Sequence, residues 1–253
     1  MTDKLHESRA IQYFFNTAFD RTTIKTLKKL EISHEDTFKT YPETPKILLP
    51  RISWKLQEAR IIPLFQQRRS IRRFLAEPIP LTDLAFMLWA SQGITAQLGS
   101  HFLRTVPSAG ALYPVETYIS IKGVDGVNPG LYHFNVRDFQ LELLEEGNTH
   151  QKCADACLNQ QFMEAAAVNF IWTGVARRCM SKYGERGARY LLLDAAHICQ
   201  NLLIAAEAVG CGGCPVAAFY DREVAAVLNI DRHEELPLYA ASVGKKIKKQ
   251  QSS

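Results

Sequence analysis

The sequence predicts an α+β layer fold rather than a doubly wound sheet, and three observations carry that expectation. Residues 115–121 (Val-Glu-Thr-Tyr-Ile-Ser-Ile) alternate and are rich in β-branched side chains, the mark of a strand. Residues 186–209 are rich in Ala and Leu and close on Gly210, which predicts a long helix buried on most sides. Around these two, helical and extended patterns follow one another without the regular alternation that a parallel sheet needs.

The remaining elements follow in chain order. Residues 1–30 are polar and mixed, and Pro42, Pro45 and Pro50 prevent a helix over 37–50, so an extended arm is expected to join an N-terminal helical piece to the body. Thr82 and Asp83 stand ahead of Leu84, Met87 and Leu88, which predicts a helix over 81–91 ended by Gly93. Residues 130–134 and 139–144 read as a hairpin about the turn 135–138. A helix is expected over 153–160, a buried strand over the apolar run 165–173, a short helix over 224–228 and a last strand over 238–243. The domain organisation expected is a helical piece with its arm over 1–50, one domain over 51–246 and a basic tail over 247–253.

Composition narrows the function classes. Thirty basic against 26 acidic residues leave a formal charge of +4. Lys245, Lys246, Lys248 and Lys249 supply four positive charges on their own, so the body is near neutral. A face that would gather nucleic acid or an anionic membrane is not expected. The first residues have no apolar h-region, and no run is expected to approach the roughly 18 apolar residues that span a bilayer. Cys153, Cys157, Cys179, Cys199, Cys211 and Cys214 crowd into one half of the chain, unlike the framework of a small secreted domain, so reduced thiols and a cytoplasmic location are expected.

Four segments carry chemistry. Arg68-Arg69-Ser70-Ile71-Arg72-Arg73 packs guanidinium forks and a hydroxyl at the density a phosphate clamp needs, though a solvated basic turn would have the same composition. Lys245 and Lys246 follow a strand and could close on the same phosphate, or belong to a charged tail. Pro107-Ser108-Ala109-Gly110-Ala111-Leu112-Tyr113-Pro114 and Gly210-Cys-Gly-Gly-Cys-Pro-Val-Ala-Ala-Phe219 are poor in bulk, so a planar ring could approach their backbones. A structural turn would also use such residues.

These segments, with Gly-Leu-Tyr-His at 130–133 and Lys-Tyr-Gly-Glu-Arg-Gly at 182–187, resemble the nitroreductase family in the right order, and within it the SagB-type dehydrogenases. The similarity runs from about Lys39 to Lys246, and the Lys39-Thr-Tyr-Pro arm resembles that branch's N-terminal extension. The resemblance implies a mostly antiparallel central sheet flanked by helices, in an interleaved homodimer with two FMN sites at the subunit interface. It implies that Arg68, Arg69, Ser70 and Arg72, with Lys245 and Lys246, hold the flavin phosphate. Pro107, Ser108 and Ala109 match the segment that touches the flavin from the partner subunit, and Ala217 and Ala218 match positions whose amides face the flavin N5 edge. Lys182 and Tyr183 match the pair placed for proton removal as hydride passes to FMN, although a loop ahead of a helix would also read Lys-Tyr-Gly.

Ala217 stands where many nitroreductases carry an acidic residue, and no asparagine lies near Ala111. The activity expected is therefore dehydrogenation at a substrate carbon, such as azoline to azole in a modified peptide. The alternatives are an NAD(P)H-dependent reductase of nitro compounds or quinones, and a flavin-binding subunit of a peptide-modifying complex. No metal is expected, since Cys211-x-x-Cys214 has no second pair at zinc spacing. Gly210-x-Gly212-Gly213 follows a helix, not the strand that a dinucleotide fingerprint requires. Asp194, His197 and Asn201 share one helical face and read as a hydrogen-bonded polar stripe ahead of a metal site. No G-x-S-x-G element points to a hydrolase.

Overall fold

In the computed structural model, which describes residues 8–18, 37–51, 60–99 and 101–247, the run 115–121 forms strand β4 at the middle of a seven-stranded sheet. From edge to edge the order is β1 (Lys46–Leu48), β6 (Gln140–Glu146), β5 (Gly130–Asn135), β4, β7 (Val168–Val175), β9 (Glu235–Lys245) and β8 (Cys211–Val216). Every neighbouring pair is antiparallel. A separate hairpin, β2 (Ile94–Leu98) and β3 (His101–Arg104), stands apart from this sheet.

Alternation along the strands divides the core between two faces. Val115, Ile119 and Ile121 of β4, Phe170 and Trp172 of β7 and Val243 of β9 pack with Leu84 and Leu88 of helix α3 (Leu81–Gln92) and with Ile198 and Leu202 of α7 (Gly187–Ala208). Tyr118, Ile171 and Ala240 point the other way, onto Cys153 of α4 (His150–Ala156), Met163 of α5 (Gln161–Ala165) and Val224 of α8 (Asp221–Leu228). Because β7 is covered on both faces, all eight of its residues are buried, which explains its continuous apolar run. Three further helices complete the described residues: α1 (Arg9–Asn16), α2 (Ile61–Gln67) and α6 (Ala176–Tyr183).

The expected helix over 81–91, strand 115–121, hairpin, long helix and last strand are all present, and Gly210 ends α7 in the left-handed region at φ 74°. Four differences have physical reasons. The helix expected over 153–160 stops at Ala156 because Leu158 and Asn159 both take positive φ. The segment 211–216 is a strand despite two glycines and a proline, since β9 supplies its ladder. Lys182 and Tyr183 close helix α6 instead of lying in a loop. The stretch 176–208 is, against expectation, long and apolar enough to cross a bilayer, but it is largely spent on the core, where Leu191, Ile198, Leu202 and Ala206 are buried. Most of the N-terminal helical piece and Lys248 and Lys249 of the tail lie outside the described residues.

Candidate functional site

Residues 70–71 lie along the outer edge of β8, the last strand of the sheet, and residues 74–75 reach the end of β9. Ser70 pairs with Gly213, and the Ile71 amide donates to the Gly213 carbonyl at 2.9 Å. Further on, Phe74 pairs with Lys246 and the Leu75 amide donates to the Lys245 carbonyl at 3.0 Å. The two basic segments from opposite ends of the sequence therefore lie side by side. Gly212 permits this, because a Cβ there would stand 2.8 Å from both Ile71 Cγ1 and Lys246 Cγ.

The side chains of this edge form an electropositive cradle. Arg68 is half-buried, while Ser70 and Arg72 are exposed. The Arg72 guanidinium lies 5.8 Å from the Phe162 ring centroid, and Arg72 and Ser70 both face the Cys214 thiol. Among the described residues no carboxylate pairs with Arg68, Arg72 or Arg73. Lys245 stands 3.4 Å from Asp83, and Lys246 pairs with the buried carboxylate of Glu207. Arg69 turns elsewhere: its Nη1 donates to the carbonyls of Gln66 at 3.0 Å and Arg68 at 2.7 Å, which closes the C-terminus of α2.

The loop 107–114 holds a strained backbone. Gly110, Ala111 and Tyr113 have φ of 65°, 54° and 45°, and the two non-glycine residues cost about 1–3 kcal/mol each. Two clamps hold it. Ser108 Oγ donates to Asp194 Oδ2 at 2.5 Å and accepts the Tyr113 amide at 2.9 Å. The Tyr113 hydroxyl accepts the Arg104 amide at 3.0 Å, and the Arg104 guanidinium lies 4.6 Å from the Tyr113 ring centroid.

Helix α6 delivers Lys182 and Tyr183 to the same loop. A Cβ on Gly110 would stand 2.6 Å from the Tyr183 hydroxyl and 2.7 Å from Lys182 Nζ, so both polar atoms close on one bare Cα. Tyr183 also packs edge-on against Tyr190 at 4.9 Å. Burial, with Cys179, Tyr190 and Asp194 nearby, pushes the Tyr183 phenol above its ordinary pKa, so it keeps its proton at neutral pH.

Ala217 and Ala218 are exposed just past the end of β8, and Gln160 Nε2 donates to the Ala218 carbonyl at 3.3 Å. The site residues thus fall into three groups. Arg68, Ser70, Arg72, Lys245 and Lys246 share the cradle. Pro107, Ser108 and Ala109 share the strained loop with Lys182 and Tyr183. Ala217 and Ala218 end the edge strand. Helix α7 spaces the first two, since Ser108 is held at Asp194 and Lys246 at Glu207, thirteen residues further on, or about 20 Å of helix.

A buried polar network, which the sequence reading did not single out, lies behind the site. His133 is fully buried in β5 and hydrogen-bonds Glu142 at 2.9 Å and Glu116 at 3.0 Å. Arg178 of α6 reaches Glu116 at 2.5 Å. Burial alone would raise the Glu116 carboxyl, but Arg178 and His133 outweigh it and hold the group well below the usual carboxylate range. Beside it Glu235 accepts from Tyr118 at 2.9 Å, Thr173 at 2.5 Å and Lys39 of the extended arm at 2.5 Å. The sequence signal was present: polar residues on the inward-alternating positions of strands, which persist in a core only when partnered.

Comparison with known proteins gives concordant results. A family model described as the nitroreductase family matches residues 65–245. The nitroreductase-like protein MJ1384 of Methanocaldococcus jannaschii is 35% identical over 206 residues, covering 81% of this chain and 98% of that protein. The trifolitoxin-processing protein TfxB of Rhizobium leguminosarum bv. trifolii is 31% identical over 138 residues, covering 53% of this chain but only 37% of its own length. A chain of the Escherichia coli microcin synthetase McbBCD complex, solved with truncated pro-MccB17 bound, superposes with a TM-score of 0.63 at 20% identity, covering 93% of this chain and 86% of that one.

Proposed function

The chain belongs to the nitroreductase family, and from that premise we propose that it is an FMN-dependent dehydrogenase acting on azoline rings of a modified peptide. The observation that carries the reading is the convergence of Lys182 Nζ and the Tyr183 hydroxyl on Gly110. Two titratable polar groups over a bare backbone suit a substrate that must lose a proton. The match to TfxB and the fold shared with the microcin synthetase chain support a peptide as that substrate.

The residues present fit the cofactor. Arg68 and Arg72 have no competing carboxylate partner among the described residues, and with Ser70 and Lys245 they suit a phosphate. Ala217 and Ala218 are exposed just past the other end of β8. FMN held there would supply a hydride acceptor, with oxygen or another acceptor as the final oxidant. Lys182 and Tyr183 stand where the ring proton leaves, with Tyr183, which keeps its own proton, as a hydrogen-bond donor. The loop 107–109 is supplied by a second copy of the chain in a homodimer, whose formation the exposed Leu192 and Leu193 of α7 favour. Six free, buried cysteines accord with a reducing cytoplasm.

The purified protein should be yellow, release FMN on heating and scatter light at about twice its 28.6 kDa chain mass. Anaerobic stopped-flow bleaching by an azoline peptide, with NADPH as control donor, tests the activity. Bleaching by NADPH alone would replace the reading with a nitro or quinone reductase, which the near full-length match to MJ1384 favours. Bleaching only after addition of a cyclodehydratase partner would assign the chain to a peptide-modifying complex as its flavin-binding subunit.

A further inference from the structure

Asp194 is buried in the middle of the acid–base region yet belongs to neither the cradle nor the pair. It accepts the Ser108 hydroxyl at 2.5 Å, and the Ala109 amide faces it, so two consecutive residues of the strained loop turn toward one carboxylate. The next residue, Gly110, backs Lys182 and Tyr183. His197 on the same helix face is exposed and faces Asp194, and Asn201 is spent on the Ala90 carbonyl at 2.9 Å. The polar stripe of α7 therefore resolves into one functional residue and two neighbours.

We propose that Asp194 is a positioning residue of the Lys182–Tyr183 pair, fixing through Ser108 and Ala109 the loop against which the pair is set. The proposal rests on the reading of that pair as the acid–base groups. It has a mechanical and an electrostatic part. Mechanically, Ala111 and Tyr113 hold left-handed backbone that relaxes unless something outside the loop fixes it, and Asp194 and Arg104 are the outside groups at its two ends. Electrostatically, a carboxylate near the phenol disfavours the phenolate. The groups facing Tyr183 are Cys179 and Lys182 of α6 and Tyr190 and Asp194 of α7, and of these Asp194 alone is a carboxylic acid. Burial raises the Asp194 carboxyl, while Ser108, Ala109 and His197 favour its charged form.

Three variants of the full-length holoprotein separate the two parts. Asp194→Asn keeps an oxygen for Ser108 but removes the charge, Asp194→Ala removes both, and Ser108→Ala removes one arm of the clamp. Amide hydrogen exchange at 109–112 reads the loop. Tyrosinate absorbance, with Tyr183→Phe as the difference reference, reads the phenol. Asp194→Ala and Ser108→Ala should speed exchange at least tenfold, and Asp194→Asn should leave it within about threefold while lowering the Tyr183 midpoint. In azoline-driven flavin reduction, Asp194→Asn should shift the alkaline limb of the pH profile downward. Asp194→Ala should lower kcat at nearly constant KM and flavin content. Unchanged exchange in Ser108→Ala together with an unchanged Tyr183 midpoint in Asp194→Asn would overturn the proposal, even where Asp194→Ala fails to fold. If azoline bleaches no flavin in the wild type, the dehydrogenase reading fails alone, because exchange and phenol titration still decide the role of Asp194.

Discussion

Arg178 Nη1 lies 2.5 Å from Glu116 Oε1, tying the helix that carries Lys182 and Tyr183 to the central strand of the sheet. The same carboxylate receives His133 at 3.0 Å, and both partners are buried. Glu116→Ala should therefore strand the buried Arg178 guanidinium and one ring nitrogen of His133 and cost about 3–5 kcal/mol, read by denaturant unfolding. A loss below about 1 kcal/mol would show that the network reorganises without it.

Gly110→Ala tests the contact at the strained loop. Its φ of 65° penalises any Cβ by about 1–2 kcal/mol, and that Cβ would also displace the Tyr183 hydroxyl and Lys182 Nζ. Azoline-driven flavin reduction should fall by roughly 10²-fold or more, within the range of a lost positioned base, while flavin content stays near normal. Normal reduction in a folded variant would separate the pair from the loop.

The cradle makes contrasting predictions for adjacent arginines. Arg72→Ala should weaken FMN binding by about 1.5–3 kcal/mol, or roughly 10- to 150-fold, as a charge-assisted phosphate contact is lost. Arg69→Ala should leave FMN affinity within about threefold and reduce stability slightly, because its guanidinium caps α2. Fluorescence titration of the apoprotein with FMN measures both.

His150 sets an acid dependence. Burial, with the Lys122 charge, lowers its pKa from 6.5 to about 3, and its Nδ1 hydrogen-bonds Ser120 at 2.8 Å. Between those values the unfolded chain binds a proton that the folded chain refuses, so stability falls as pH falls, by about 1.4 kcal/mol per unit. Glu116 and Glu142, whose carboxyls lie below their ordinary value of 4.5, lose their contribution only at lower pH. Unfolding measured between pH 6.5 and 5 should therefore show a slope that His150→Gln abolishes.

The sequence expressed the sheet where burial acts on one strand at a time. β4 and β7 were legible because each carries its own pattern. β8 was not, since Cys-Gly-Gly-Cys-Pro-Val has little β-propensity and becomes a strand through β9 on one side and residues 70–71 on the other. The site divides the same way. The basic segments and the small-residue loop could be read from composition, and the Lys182-Tyr183 pair from resemblance. The clamp between Ser108 and Asp194 spans 86 residues of sequence, and nothing local announces it. Arg69 shows the converse, since composition places it with its neighbours and a nearby helix end claims it.

Gly110 meets Lys182 and Tyr183 of its own chain, so loop and pair are inherited together, while the cradle lies elsewhere on the same polypeptide. In a dimer whose sites each draw the cradle from one copy and the loop with its pair from the other, two defective subunits can rescue each other. A mixed dimer of Arg72→Ala and Tyr183→Phe chains would concentrate both lesions in one site and leave the second whole. Co-expression with two affinity tags should therefore recover activity that neither parent shows, approaching half that of the wild type for each mixed dimer.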